Sequence, residues 1–159
     1  MNALRVYALG APGAVDELMA GVVEPLVGIG VDAVDVARFR QLLARRPRFA
    51  ARYFSVAEQA DADRMPDPSE SLAARFAAKE AVMKAFGAGL GAFALTDVEV
   101  RRAPGEGSMS GAPSLRLLGG AAALAERLGA GPLHLSLTHT SEVAIAFVVA
   151  ERSRPCARS

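Results

Sequence analysis

The sequence predicts an α+β domain in which helices pack on one face of a small, largely antiparallel sheet. Three observations lead there. A long helix over residues 69–87 has both of its ends marked in the sequence. Short apolar or alternating runs with strand character stand on either side of it, at 26–32, 93–102, 133–138 and 143–151. In order, the segments run β-α-α-α-β-β-α-β-β.

Residues 1–24 have weak periodicity and form an extension with no visible chemistry; the domain proper spans 25–151, and 152–159 is a polar tail. The first strand, Leu26-Val-Gly-Ile-Gly-Val-Asp32, is an apolar run rich in β-branched residues, which favours a buried strand ending on the Asp32 carboxylate. Gly28 and Gly30 within it indicate close approach by another backbone or a ligand. Val34, Ala37, Phe39, Leu42 and Leu43 then predict a helix that ends at Pro47. Ser55-Val-Ala-Glu58 is a capping box opening a short helix to about Asp63. Met65-Pro-Asp-Pro68 turns the chain into the long helix, with Ser69 as its N-cap and Gly87 as its left-handed C-cap. Gly87, Gly89 and Gly91 form a glycine loop that follows a helix instead of opening one, so it is neither a P-loop nor a dinucleotide fingerprint. Asp97-Val-Glu-Val-Arg alternates as a half-buried strand. The segment 104–113 reads as a hairpin loop, Ser114 to Leu118 pairs back, and 121–128 is a small helix ending at Gly129. Leu133-His-Leu-Ser-Leu-Thr138 places leucines on one face and His134, Ser136 and Thr138 on the other. A turn through His139 leads to the closing core strand at 143–151.

Composition narrows the function. At 159 residues the chain is one domain, or a small domain that assembles with copies of itself. Apolar residues make up 52% and charged residues 22%, and the net charge of +1 argues against general nucleic-acid binding. Cys156 is the single cysteine, so an intrachain disulfide and a cysteine zinc cage are both excluded. With His134 and His139 as the only histidines, a metal site would lean on carboxylates and suit a hard ion such as magnesium. No stretch approaches the roughly 18 apolar residues of a membrane span. Gly10, Pro12, Gly13, Asp16 and Glu17 spoil a signal peptide, which makes the cytoplasm the expected compartment. Six arginines, at 38, 40, 45, 46, 48 and 52, stand between Val36 and Ser55 with no acid among them. That run is either a solvated helix face or, as its lack of compensating acid favours, a docking surface for an acidic partner.

The long helix poses the sharpest question. On a helical wheel, Leu72, Ala73, Phe76, Ala77 and Met83 form an apolar stripe, and Glu80 falls inside it with Lys84 one turn on. A carboxylate aimed at a core must neutralise or find a cation. An i, i+4 ion pair with Lys84 is the plainer account, worth about 0.2–0.5 kcal/mol on an exposed helix.

Three separated segments then point together: Gly28-Ile-Gly-Val-Asp32 with Arg38, Arg75-Phe-Ala-Ala-Lys-Glu-Ala-Val-Met-Lys-Ala-Phe-Gly87, and Ser136-Leu-Thr-His-Thr140 with Ala144-Ile-Ala146. In this order they closely resemble the signature of 4′-phosphopantetheinyl transferases, in particular the short holo-[acyl-carrier-protein] synthases. The resemblance covers roughly residues 26–151.

It implies the 4′-phosphopantetheinyl transferase fold and a magnesium-dependent reaction. The phosphopantetheine arm of coenzyme A would move to a serine of an apo acyl carrier protein, releasing adenosine 3′,5′-bisphosphate. Carried over residue by residue, Asp32 and Glu80 would hold Mg2+, while Lys84 and His139 would approach the diphosphate. Glu80, Lys84 and His139 are thereby the implied catalytic groups. Arg75, Gly87 and Gly89 would contact coenzyme A, and Arg38, with Arg45 and Arg46 beside it, would dock the carrier. The serine's proton acceptor stays open among Glu80, a metal-bound water and His139. The resemblance further implies a homotrimer with active sites between neighbouring subunits, and a place in fatty-acid and other lipid biosynthesis. Val31 stands where isoleucine is commoner, and the extension over 1–24 has no counterpart in the minimal family pattern. A non-catalytic carrier-binding module should lack one of the carboxylates, the lysine or the histidine; this chain keeps them all.

Overall fold

The structure, a computed structural model, describes residues 26–102 and 111–153. The extension over 1–24, the loop over 104–113 as far as residue 110, and the tail beyond 153 with Cys156 lie outside the described residues. β1 (Leu26–Asp35), β4 (Ala130–His139) and β5 (Val143–Arg152) form an antiparallel sheet in the order β1-β5-β4. β2 (Val98–Arg102) and β3 (Pro113–Leu117) form a separate antiparallel ribbon. The helices are α1 (Val36–Arg45), α2 (Phe49–Tyr53), α3 (Val56–Asp63), α4 (Pro68–Ala85) and α5 (Gly119–Arg127), and a single 3-10 turn, Leu95–Asp97, precedes β2. The α+β arrangement expected from the sequence holds, with α2 as an additional short helix and the strands shared between a main sheet and a ribbon.

α4 is the axis of the domain. Its burial runs unbroken from Ser71 to Arg75, and Ala77, Ala78, Lys79, Ala81, Val82, Met83 and Ala85 are buried as well. The helix is therefore enclosed on most sides, not on the single stripe its sequence suggests. One side meets Ala144, Ala146 and Val148 of β5, with Leu133, Leu135 and Leu137 of β4 packed around the same core. Another meets an aromatic group in which Phe76 lies 5.5 Å from Phe39 and 5.8 Å from Phe49 between ring centroids. Alanines let α4 settle onto β1 at backbone distance. A Cβ on Gly28 would stand 2.2 Å from the Ala85 carbonyl oxygen, and one on Gly30 only 1.8 Å from that of Ala81. The two glycines thus answer to a helix backbone, not to a ligand.

Several boundaries differ from expectation; the strand expected from 93 begins only at Val98, after the 3-10 turn, and β4 starts earlier, at Ala130. The N-cap of α4 is Asp67, whose side chain accepts from the Ser69 N–H at 2.8 Å, because Pro68 fits the first helical turn where its missing donor is harmless. Asp32 is inside β1, opposite Ala146, and the strand continues to Asp35, which caps α1 by accepting from the Arg38 N–H. β5 runs through Arg152, one residue into the expected tail. At the far end of α4 the Gly87 cap forms as the sequence predicts, with φ +60° and the Ala88 N–H donating to the Met83 carbonyl.

The sheet face away from α4 is not covered by these elements. Ile29, Val31 and Phe147 lie on it at 52%, 47% and 43% exposure, with Val31 directly opposite Phe147. The first strand, expected to be buried, is buried on one face only.

Candidate active site

The close crossing of α4 over β1 decides which polar side chains meet. Gly28, Gly30 and Asp32 alternate onto one face of β1, so Asp32 is the next side chain offered to α4 after the two glycine contacts. Lys84 reaches down to it: Nζ donates to Asp32 Oδ1 at 2.8 Å and to the Val31 carbonyl at 3.0 Å. The sequence pairs Lys84 with Glu80, but the strand lies near enough to capture the ammonium instead. Glu80 is left with no hydrogen bond or ion pair among the described residues. Burial first, and the nearby Asp32 charge second, push its carboxyl above the ordinary range, and Lys84 offsets only part of that.

Asp32 and Glu80 share the wall of a cleft of about 630 Å³ with Phe39, Leu42, Phe76 and Leu90. Leu90 comes from the glycine loop, in which Gly87 and Gly89 are exposed. Arg38 lies on its rim. Arg45 and Arg46 are exposed nearby on the end of α1 and, like Arg38, form no ion pair among the described residues. The arginine run is not wholly uncompensated, however. Arg40 Nη2 bonds Asp67 Oδ2 at 2.5 Å and, as the leading cause, holds that carboxyl below its ordinary range.

His139 and Arg75 belong to a second cleft, of about 590 Å³, on the other side of α4. His139 is the last residue of β4 as expected, and its Nδ1 stands 3.7 Å from Glu70 Oε2 in the first turn of α4. Arg75 is 5% exposed, with Nη1 donating to Ser71 Oγ at 2.5 Å and Nη2 3.7 Å from Asp61 Oδ2. Arg101 and Arg102, which sequence reasoning passed over, line the same cleft from β2. His139 pairs with Ala144 of β5, which pairs with Val34 of β1, so two inter-strand steps separate His139 from the strand of Asp32. At roughly 4.8 Å per step that sets the two strands ~10 Å apart, and the two side chains line different clefts. Within one chain the structure assembles Asp32, Glu80 and Lys84, and leaves His139 and Arg75 apart from them.

A buried network, also unseen in the sequence, ties α3 and α4 to β2. Lys79 Nζ, fully buried, bonds Glu58 Oε2 at 2.9 Å, the Leu95 carbonyl at 3.0 Å, and the Val98 carbonyl. Glu58 Oε1 in turn accepts from the Val100 N–H at 3.0 Å. Together these side chains satisfy the edge of β2 that β3 does not pair.

Asp32 and Glu80 suit a small hard cation. Both donors are carboxylate oxygens, and one lacks a partner although half-buried. No cluster of three or more metal-ligating side chains exists among the described residues. Magnesium is commonly held by one or two carboxylates with waters and substrate phosphate in its remaining positions, so two are enough.

Comparison with known proteins identifies the family. Residues 28–148 match the family model described as the 4′-phosphopantetheinyl transferase superfamily. A holo-[acyl-carrier-protein] synthase of Frankia casuarinae is 51% identical over 126 residues, which cover 79% of this chain and 98% of the relative. Among solved structures, the Neisseria meningitidis holo-[acyl-carrier-protein] synthase superposes with TM-score 0.69 at 31% identity, covering 80% of this chain and 99% of that one. The Bacillus anthracis synthase, solved in complex with coenzyme A (3′,5′-ADP), gives TM-score 0.66 at 32% identity over 82% of this chain and all of that one. The chain belongs to the 4′-phosphopantetheinyl transferase superfamily and is a transferase of its holo-[acyl-carrier-protein] synthase group.

Proposed function

We propose that this enzyme transfers the 4′-phosphopantetheine arm of coenzyme A to a serine hydroxyl of an apo acyl carrier protein, leaving adenosine 3′,5′-bisphosphate, with Mg2+ bound by Asp32 and Glu80. The observation that carries the reading is Glu80: a half-buried carboxylate without a partner, facing the same cleft as Asp32, at the two positions the family resemblance assigns to metal. When bound, the ion would polarise the diphosphate and stabilise charge on the leaving oxygen. The chain's own groups do the rest. Lys84 offers a point charge to a phosphate oxygen, and the exposed glycine loop lets phosphates come close to the backbone. Phe39, Leu42, Phe76 and Leu90 keep one wall of the cleft apolar, which strengthens the electrostatics inside it. Arg38, Arg45 and Arg46 stand beside the cleft as a basic platform for an acidic carrier.

Two features support a homotrimer with shared sites. His139 and Arg75 line a different cleft from Asp32 within one chain, and a neighbouring copy could bring its own to the cleft of Asp32. The uncovered apolar sheet face around Ile29, Val31 and Phe147 supplies a surface that copies would bury. No helix among the described residues is long and apolar enough to cross a membrane. The reading places the enzyme in the cytoplasm, serving carriers of fatty-acid biosynthesis.

The test is direct. Incubation with coenzyme A, Mg2+ and an apo carrier protein should add one phosphopantetheine to the carrier, seen by mass spectrometry. Asp32→Asn and Glu80→Gln should each lower turnover by about 10²–10³, the scale of losing one preorganised electrostatic contact. No gain on any of a panel of fatty-acid, polyketide and peptide-synthetase carriers would refute the reading.

A further inference from the structure

Asp32 already holds a cation, and that cation is a side chain of this protein. Lys84 Nζ sits 2.8 Å from Asp32 Oδ1 and 3.0 Å from the Val31 carbonyl oxygen. In the mechanism above, Asp32 serves a divalent ion and Lys84 serves the diphosphate. Neither is available while the two are joined. We propose that Lys84 competes internally with the metal: its ammonium occupies Asp32 in the metal-free enzyme and is released toward the substrate phosphates when a divalent cation binds Asp32 and Glu80. The inference rests on the magnesium reading above.

The local physics permits this exchange. The Lys84 side chain is 52% exposed, on a flexible stem with freely rotating donors, so its ammonium can return to water, while Asp32, 17% exposed, needs the arriving cation to replace it. Because Lys84 chooses Asp32, Glu80 stays unpaired, and an arriving cation finds one free carboxylate beside one that is lightly held. The ammonium and the ion repel when both approach Asp32, so each weakens the other's hold by the same factor. Lys84 would thus turn to the substrate only after the metal site is filled, which prevents premature capture of a phosphate.

The sequence offers an unusually clean probe, since Lys79 and Lys84 are its only lysines. With lysine labelled at 13Cε and 15Nζ, adding Mg2+ without coenzyme A should move the Lys84 signals and leave those of buried Lys79 in place. In Asp32→Asn the Lys84 signals should start displaced and lose that response. Binding of Mn2+, measured by electron paramagnetic resonance, should be about three- to fivefold tighter in Lys84→Met, the value of the exposed pair that no longer competes. Arg38→Gln removes a cation from the rim of the same cleft without touching Asp32 and should change Mn2+ affinity less than about twofold at physiological salt. Equal or weaker Mn2+ binding by Lys84→Met, or unmoved Lys84 signals at saturating Mg2+, would overturn the competition while leaving the metal site standing. Failure of both wild type and Lys84→Met to bind Mn2+ would remove the metal reading itself, and the inference with it.

Discussion

Lys79 and Lys84 stand five positions apart on α4, each with a carboxylate at hydrogen-bond distance, 2.9 Å for Glu58 and 2.8 Å for Asp32. Their surroundings make them different devices. Lys79 is fully buried, and all three ammonium donors are taken, by Glu58 and by the Leu95 and Val98 carbonyls. Desolvation lowers its pKa even though Glu58 opposes that shift. Lys84 is half exposed and rests on an edge strand. A pair embedded in satisfied backbone groups locks one arrangement, whereas a pair in water can be exchanged for a ligand. One helix therefore carries a structural rivet under the site and a movable charge inside it.

Stability measurements should separate the two most widely. Lys79→Met leaves Glu58 charged and buried without its counter-ion, a loss of about 3–5 kcal/mol. Lys84→Met should lose less, on the order of 1 kcal/mol, because its ammonium is half exposed even though Asp32 is 17% exposed. Urea unfolding checks both, and equal losses would break the distinction. A Lys79→Met, Glu58→Met double variant should recover only part of the loss. The Val98 carbonyl and the Val100 N–H would remain without partners at the open edge of β2.

That contrast also marks how far the sequence could be read. The capping box at Ser55 and Glu58, the Gly87 cap, the β2–β3 pairing and the close approach at Gly28 and Gly30 were legible because each is a local rule about backbone or side-chain reach. The partners of Lys79 and Lys84 were not. They depend on where α4 lies against β1 and β2, and periodicity records which face is apolar, not what arrives there. Glu80 stood out as misplaced on its wheel, yet the i, i+4 rule supplied the wrong cation because it sees only one helix. The family pattern named His139 and Asp32 together; only the sheet order shows that a single chain keeps them two strands apart.

The same division between committed and available charges applies to the arginines. Arg38, Arg45 and Arg46 are exposed and form no ion pair among the described residues, while Arg40 is tied to Asp67. Replacing the first three with alanine should raise KM for the carrier about five- to tenfold at low salt, with a smaller effect at high salt and little change for coenzyme A. Arg40→Ala should leave carrier KM nearly unchanged and act on stability by under about 1 kcal/mol. Steady-state kinetics with each substrate varied in turn decides this, and a matching rise in KM for coenzyme A would move docking elsewhere.

Glu80 gives the smallest and most pointed difference, because it opposes the usual link between function and stability. Its folded pKa is raised, so the folded state binds the proton more tightly than the unfolded chain does. Stability from this group is therefore greatest at low pH and is lost as pH rises through the raised value. At neutral pH Glu80 is a burden on the metal-free protein, and Glu80→Gln should relieve it. The variant should melt a few degrees higher without metal, up to roughly 2–4 °C if the relief approaches 1 kcal/mol. The advantage should vanish as pH falls below the unfolded carboxylate's own value, where both proteins carry a neutral group. Added Mg2+ should then raise Tm in wild type more than in the variant, since ligand binding to the folded state stabilises in proportion to its affinity. A lower Tm for Glu80→Gln at neutral pH without metal would mean that the carboxylate is stabilised by its setting, and Glu80 would join Lys79 as structure.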